Sequence, residues 1–184
     1  MAEYYLISQL PSLDGVAENT PLPIDEERFL ELCNKFLSKT AQKELSELTL
    51  LPSKTYKKSS SALVEKWYDG ERNLRIALAI ARAEKMKKSF ETEKKTFSIE
   101  LIKAVNFAVE MENPLEAENF LNRYRMDFLE SLRPMDNFSL DFVFYYALKL
   151  KLILRIRQFD TNAGEAAYRN IYNSILDGDR LEAI

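Results

Sequence analysis

Apolar residues recur every three or four positions through most of the chain, which is the spacing of one face of an α-helix. Residues 4–10 fit either a short buried strand or a turn of helix. The longer segments with the helical period lie at about 25–37, 40–50, 62–88, 98–109, 113–132, 138–160 and 162–177. We therefore predict an all-α protein, a bundle of about seven helices.

Side chains that cap helices stand where several of these segments begin. Asp25, Ser98, Asn113 and Asn162 can each accept a hydrogen bond from a free backbone N–H of the first turn. Pro134 and the pair Asp177–Gly178 are typical of helix ends. For the helix after Asn113 the predicted buried stripe is Ala117, Phe120, Leu121, Tyr124, Phe128 and Leu132.

The segment 138–160 is ambiguous, because "KLKLILRIR" alternates nearly like a strand. More than twenty residues pass there without glycine or proline, which far exceeds the usual length of a strand. We predict a helix.

The segment "WYDGERNLRIALAIARAEK" (67–85) is apolar nearly all round, yet it contains two arginines. Arg75 and Arg82 are seven residues apart and so share one stripe of a helix. Such a helix is typical of the centre of a bundle. We expect Arg82 to be buried and paired within the chain, because a buried unpaired charge is costly. The alternative is that the arginine stripe meets another subunit.

Composition agrees with long helices in one domain. The chain has 184 residues, of which 46% are hydrophobic and only 4 are glycine and 6 proline, so turns are scarce. We predict a single all-helical domain over 1–184. The net charge of −3 makes a chain-wide surface for nucleic acid improbable.

An internal repeat is one interpretation of the pattern. A shift of 74 residues places Leu74 on Leu148 and Arg75 on Lys149. Two similar helical units would then span about 24–88 and 98–177, joined by a charged connector at 89–97. Chance similarity between two apolar helices is the alternative.

The residues that most catalytic and metal sites use are scarce. The chain has no histidine and one cysteine, Cys33, whose apolar neighbours indicate a buried thiol. No glycine-rich phosphate loop can form. Carboxylate pairs such as Glu110 with Glu112 are typical of a solvated surface. We expect no catalytic residue, no cofactor and no metal ion, although an enzyme that uses carboxylates and lysines remains a rival interpretation.

The chain also gives no membrane signal. The start "MAEYYLISQLP" has no basic region and only a short apolar run, and no window resembles a membrane span. We expect a cytoplasmic protein.

Three stretches resemble a known family. "YYLISQLP" and "WYDGERNLRIALAIARAEK", with Asn73, Leu74 and Arg82, resemble a small bacterial family found with V-type ATPase genes. That family looks like a short relative of the C-type subunit of V/A-type ATPases, which is the helical socket of the central stalk. "ENFLNRYRMDFLESL" (118–132) is similar to another helix in the repeated units of that socket subunit. The socket subunit is longer and has more such units than this chain can hold.

The resemblance implies a non-catalytic subunit that couples the rotor shaft to the membrane ring during ion or proton transport. Its partners would be other ATPase subunits, with no nucleic acid, and it would meet the membrane only through them. A stand-alone helical adaptor is the alternative. The candidate structural or interface residues are Tyr4, Tyr5, Trp67, Asn73, Arg75, Arg82, Arg155 and Arg157.

Overall fold

The computed structural model describes residues 2–16, 20–52, 58–89, 96–158 and 161–181, and within these ranges the regular elements are all helices. The prediction of an all-α fold is therefore confirmed. The helices are α1 (Ala2–Gln9), α2 (Glu26–Phe36), α3 (Lys39–Glu47), α4 (Ala62–Lys85), α5 (Ile99–Glu110), α6 (Pro114–Ser131), α7 (Leu140–Arg157) and α8 (Thr161–Leu181). Most of the predicted connector at 89–97 lies outside the described residues.

Local capping explains most of the helix starts. Asp25 accepts from the backbone N–H of Arg28 at 2.7 Å, and Ser98 and Asn113 cap α5 and α6 as predicted. The last helix differs from the prediction. It begins at Thr161, so Asn162 lies inside its first turn rather than at the N-cap, and it continues past Gly178 to Leu181.

The larger core surrounds α7. Every side chain from Val143 to Leu150 is buried, against residues of α1 to α4 and Leu129 of α6. A helix that is covered on all sides needs apolar residues on all sides, which is why its sequence shows no helical stripe. Cys33 lies in this core at 1% exposure, as expected, and burial raises the pKa of its thiol to about 12.

A smaller core lies between the second half of α4 and helices α5 and α6. Its buried residues are Leu74, Ala77, Leu78, Leu101, Val105, Ala108 and Leu121. Because the first half of α4 contributes to the larger core, α4 belongs to both cores and is central to the bundle, as predicted. The larger core contains residues of both predicted units, 24–88 and 98–177, so the two units do not have separate interiors.

Gly70 lies where the two cores adjoin on α4. A Cβ atom at this position would stand 2.2 Å from Cε1 of the Phe128 ring. The ring of Phe128 is also stacked against Trp67, with 6.1 Å between the centroids. The missing side chain of Gly70 is therefore what allows α6 to approach α4 so closely.

Basic residues of α7 join the helix to segments far away in sequence. Lys149 bonds to Asp14 at 2.5 Å and to Glu130 at 2.6 Å. Lys151 pairs with Glu26 at the start of α2. These ion pairs hold the loop after α1 and the start of α2 against α7.

Candidate partner-binding surfaces

A buried ion pair joins α4 to α6. Nε and Nη2 of Arg125 donate to the two carboxylate oxygens of Glu71 at 2.9 and 3.1 Å. The Glu71 side chain is only 2% exposed and that of Arg125 only 9%. This two-point geometry uses the planar guanidinium fully and is the strong form of such a pair. Arg125 was not among the predicted residues, yet it makes the internal tie that was expected of Arg82.

The buried pair continues into a chain of polar contacts that reaches α7. Arg125 also donates from Nη1 to Asn122 at 3.1 Å and to Glu118 at 3.4 Å. Glu118 accepts in turn from Arg155 at 2.7 Å. Asn122 is 1% exposed, and its Nδ2 has no hydrogen-bond partner among the described residues. The contacts thus connect α4, α6 and α7 through alternating charges.

The two arginines of the α4 stripe behave differently from the prediction. Arg75 and Arg82 are both exposed, and within the described ranges neither guanidinium has a hydrogen-bond or ion-pair partner. The expectation that Arg82 is buried is wrong: it follows the buried Leu78 by one turn, but it stands in the last turn of α4 and is exposed there. The alanines on the outer side of the helix are too short to cover an arginine.

Arg75 and Arg82 edge a groove between α4, α6 and α7 that we call the arginine groove. It encloses about 230 Å³, and its charged lining residues are Arg75, Arg82, Arg125, Arg155, Glu71 and Glu118. Four guanidinium groups against two carboxylates give this groove a net charge of +2, whereas the whole chain carries −3. Leu78 and Leu121 contribute apolar surface.

Trp67 and Asn73 have positions that indicate structural roles. Trp67 is 1% exposed, and its indole N–H donates to the carbonyl of Leu50 at 3.1 Å, which fixes the loop after α3. Asn73 is half-buried and lines a small cavity of about 160 Å³ beside Trp67 and Gly70. Trp67 is therefore not presented for a partner.

The tyrosines of α1 and the last arginine of α7 lie at the surface or near it. Tyr4 and Tyr5 are more than half exposed, and the Tyr4 ring packs against Phe138 at 4.7 Å between centroids. Arg157 donates to the carbonyl of Thr20 at 2.6 Å. The eight candidate residues are therefore not one site. Three of them, Arg75, Arg82 and Arg155, come together in the arginine groove.

Helix α8 presents an apolar stripe to solvent. The exposed fractions of its members Tyr168, Ile171, Tyr172 and Ile175 are 68, 60, 52 and 57%. All described side chains from 164 to 175 are exposed. The rings of Tyr168 and Tyr172 lie against each other, with centroids 6.2 Å apart. Grouped apolar side chains at such exposure are typical of a binding surface.

The buried Lys149 differs from lysines that act as nucleophiles. Burial by itself lowers the pKa of Lys149, but its bonds to Asp14 and Glu130 outweigh burial and the pKa is raised above its ordinary value. The ammonium group therefore stays charged at neutral pH. Nucleophilic lysines need the opposite shift.

Comparison with known proteins gives a family but no activity. Residues 88–179, half of the chain, match a family described as "Protein of unknown function (DUF2764)". The match includes α5 to α7 and the apolar stripe of α8. No curated protein matches the chain. No solved structure matches it either.

The described ranges contain neither a membrane span nor a metal cluster. None of the helices there is long and apolar enough to cross a membrane. Over the same ranges, no three side chains of His, Cys, Asp or Glu come together as a metal site would require.

Proposed function

The chain belongs to the DUF2764 family, and because that description assigns no role we propose one: a non-catalytic subunit of a V/A-type rotary ATPase. In this role it couples the rotor shaft to the membrane ring and is held at the cytoplasmic face of the membrane by its partners. The proposal joins one structural observation to the resemblance of "WYDGERNLRIALAIARAEK" and "ENFLNRYRMDFLESL" to the socket subunit of the central stalk.

The structural observation is the uncovered stripe of α8. Most helical stability in proteins comes from packing an apolar face rather than from the helix itself. Covering a large apolar side chain stabilises a complex by roughly 1.5–3 kcal/mol. Four such side chains along one helix therefore favour a protein partner that covers them, which is the requirement of an assembly subunit.

The two long helices that carry the resemblance support a mechanical role. Glu71 and Arg125 join α4 to α6 through a buried pair, and Gly70 lets the two helices pack closely. A protein that transmits torque needs helices that do not slide past each other. The charged state of Lys149 weighs against the rival enzyme, because it removes the buried lysine as a nucleophile.

The test is affinity capture of the tagged chain from its native cell, with subunits of the V/A-type ATPase quantified by mass spectrometry. We expect these subunits to be enriched with the wild type and to fall at least tenfold with Ile171→Asp/Ile175→Asp. The matched control is Asn170→Asp/Asn173→Asp, which adds the same charge to the opposite face of α8 and should retain them.

Two results would count against the proposal. If ATPase subunits are not enriched above an untagged sample, the rotary role is refuted. Enrichment of unrelated proteins that depends on Ile171 and Ile175 would then favour the stand-alone adaptor. If both double variants lose the ATPase equally, the stripe is not the contact surface.

A further inference from the structure

The arginine groove has charges that the protein itself does not satisfy. Arg125 and Arg155 are already engaged with Glu71 and Glu118. Arg75 and Arg82 have no such carboxylate in the part of the chain that the structure describes, although both lie at the same groove. The surplus of positive charge is therefore at the open edge, where a second molecule can reach it.

The geometry limits what can bind there. Seven residues along a helix correspond to about 10.5 Å of rise, so the backbone positions of Arg75 and Arg82 stand two turns apart along the groove. Between them Leu78 and, across the groove, Leu121 supply apolar surface, which a nucleic-acid backbone would not use.

We propose that the arginine groove binds an acidic helical segment of a partner protein, with two carboxylates about two turns apart and apolar side chains between them. Each carboxylate accepts hydrogen bonds from one arginine, and the apolar side chains cover Leu78 and Leu121. Charge complementarity supports this occupant, because an acidic segment meets a groove of net charge +2 in a chain of net charge −3. The inference stands apart from the rotary ATPase role, since it concerns the chemistry of the segment and not the identity of the partner.

The test uses the full chain and a fluorescein-labelled, helix-forming peptide of about 15 residues. Glu occupies two positions seven apart, Leu the positions between them on the same face, and a second peptide carries Gln in place of both Glu. Binding is followed by fluorescence anisotropy at two salt concentrations. We expect saturable binding of the Glu peptide, at least tenfold tighter than that of the Gln peptide and weaker at high salt.

Two double variants separate the groove from general charge. Arg75→Gln/Arg82→Gln should weaken the Glu peptide at least tenfold. The control Arg28→Gln/Arg123→Gln removes two exposed arginines that do not line the groove and should change binding less than twofold. Thermal melts check that both variants fold like the wild type.

The proposal is overturned by any of three results. The Glu peptide does not bind saturably, or both double variants weaken it equally, or a labelled single-stranded oligonucleotide of the same charge binds the groove more tightly than the peptide. The last result would assign the groove to nucleic acid. None of the three depends on whether ATPase subunits are captured from cells.

Discussion

Replacing Arg125 with methionine leaves the Glu71 carboxylate buried without its cation. The two hydrogen bonds that Glu71 loses measure 2.9 and 3.1 Å, and its side chain is 2% exposed, so the remaining carboxylate is poorly solvated. For charge centres about 4 Å apart at an effective dielectric constant near 20, the lost attraction is about 4 kcal/mol. Removal of one partner from buried pairs costs about 3–5 kcal/mol. The two figures agree.

The assay is unfolding by heat and by denaturant, followed by circular dichroism. In a protein of this size each kcal/mol lowers the Tm by roughly 2–4 °C, so Arg125→Met should lower it by roughly 6–20 °C. Arg28→Met is the control, because Arg28 also bonds a glutamate, Glu31, at 2.9 Å but with both side chains more than half exposed. It should cost less than about 1 kcal/mol.

A double variant completes the test. Glu71→Leu/Arg125→Met removes both charges and should recover much of the loss, because an apolar pair of similar volume replaces the ion pair. Glu118 keeps its contact with Arg155 in every variant. Two results would refute the assignment of Glu71 and Arg125 as a buried ion pair. One is that Arg125→Met destabilises no more than Arg28→Met. The other is that the double variant is destabilised by the sum of the losses measured for Arg125→Met and Glu71→Leu alone.

The packing at Gly70 and the alkaline limit of stability give two more predictions. Gly70→Ala should destabilise the fold by about 1 kcal/mol despite the better helix propensity of alanine, because the new Cβ displaces the ring of Phe128. Adding Phe128→Leu should relieve this loss, whereas the control Gly164→Ala, whose Cβ meets no atom within 4 Å, should not destabilise. A Gly70→Ala variant more stable than the wild type would contradict the close packing of α4 and α6. Burial and then the hydrogen bond to Glu130 raise the pKa of Tyr145 to about 12. A raised pKa contributes stability that is complete below the unfolded value near 10 and is lost as pH rises towards 12, and Lys149, whose pKa is also raised, acts in the same direction. Thermal melts between pH 8 and 11.5 should therefore show a shallower alkaline decline for Tyr145→Phe than for the wild type, and parallel declines would contradict this.

Helix boundaries were predictable because their causes are local. Asp25, Ser98 and Asn113 cap the helices that follow them, and a cap needs only residues within one turn. The central position of α4 in the bundle was predictable because apolar residues occupy nearly the whole circumference of the helix. The buried face of α6 is displaced by about one residue from the predicted stripe. Tyr124 and Phe128 belong to that stripe because they are apolar, but they are only half-buried.

The partner of Glu71 could not be found from apolar spacing alone. Arg125 stands four residues after Leu121 and four before Leu129, so a polar residue interrupts a buried row. That interruption was the available signal, but it does not say which acid on which helix would meet it. For Arg82 the error was the opposite one, because the sequence predicted burial and the side chain is exposed. The neighbouring alanines count as apolar, but their side chains are too short to cover an arginine.

The ties of α7 also set the order in which the chain can complete its fold. The partners of Lys149 and Lys151 lie 135 and 125 residues earlier, and Leu6, Phe29 and Leu45 share one core with residues 143–153. A ribosome adds about 5–20 residues each second, so helices α1 to α4 emerge several seconds before the helix that covers them. During that interval their apolar faces stay open to other nascent chains and to chaperones. Synthesis interrupted before residue 140 would release a chain that lacks more than a third of the buried residues of the larger core.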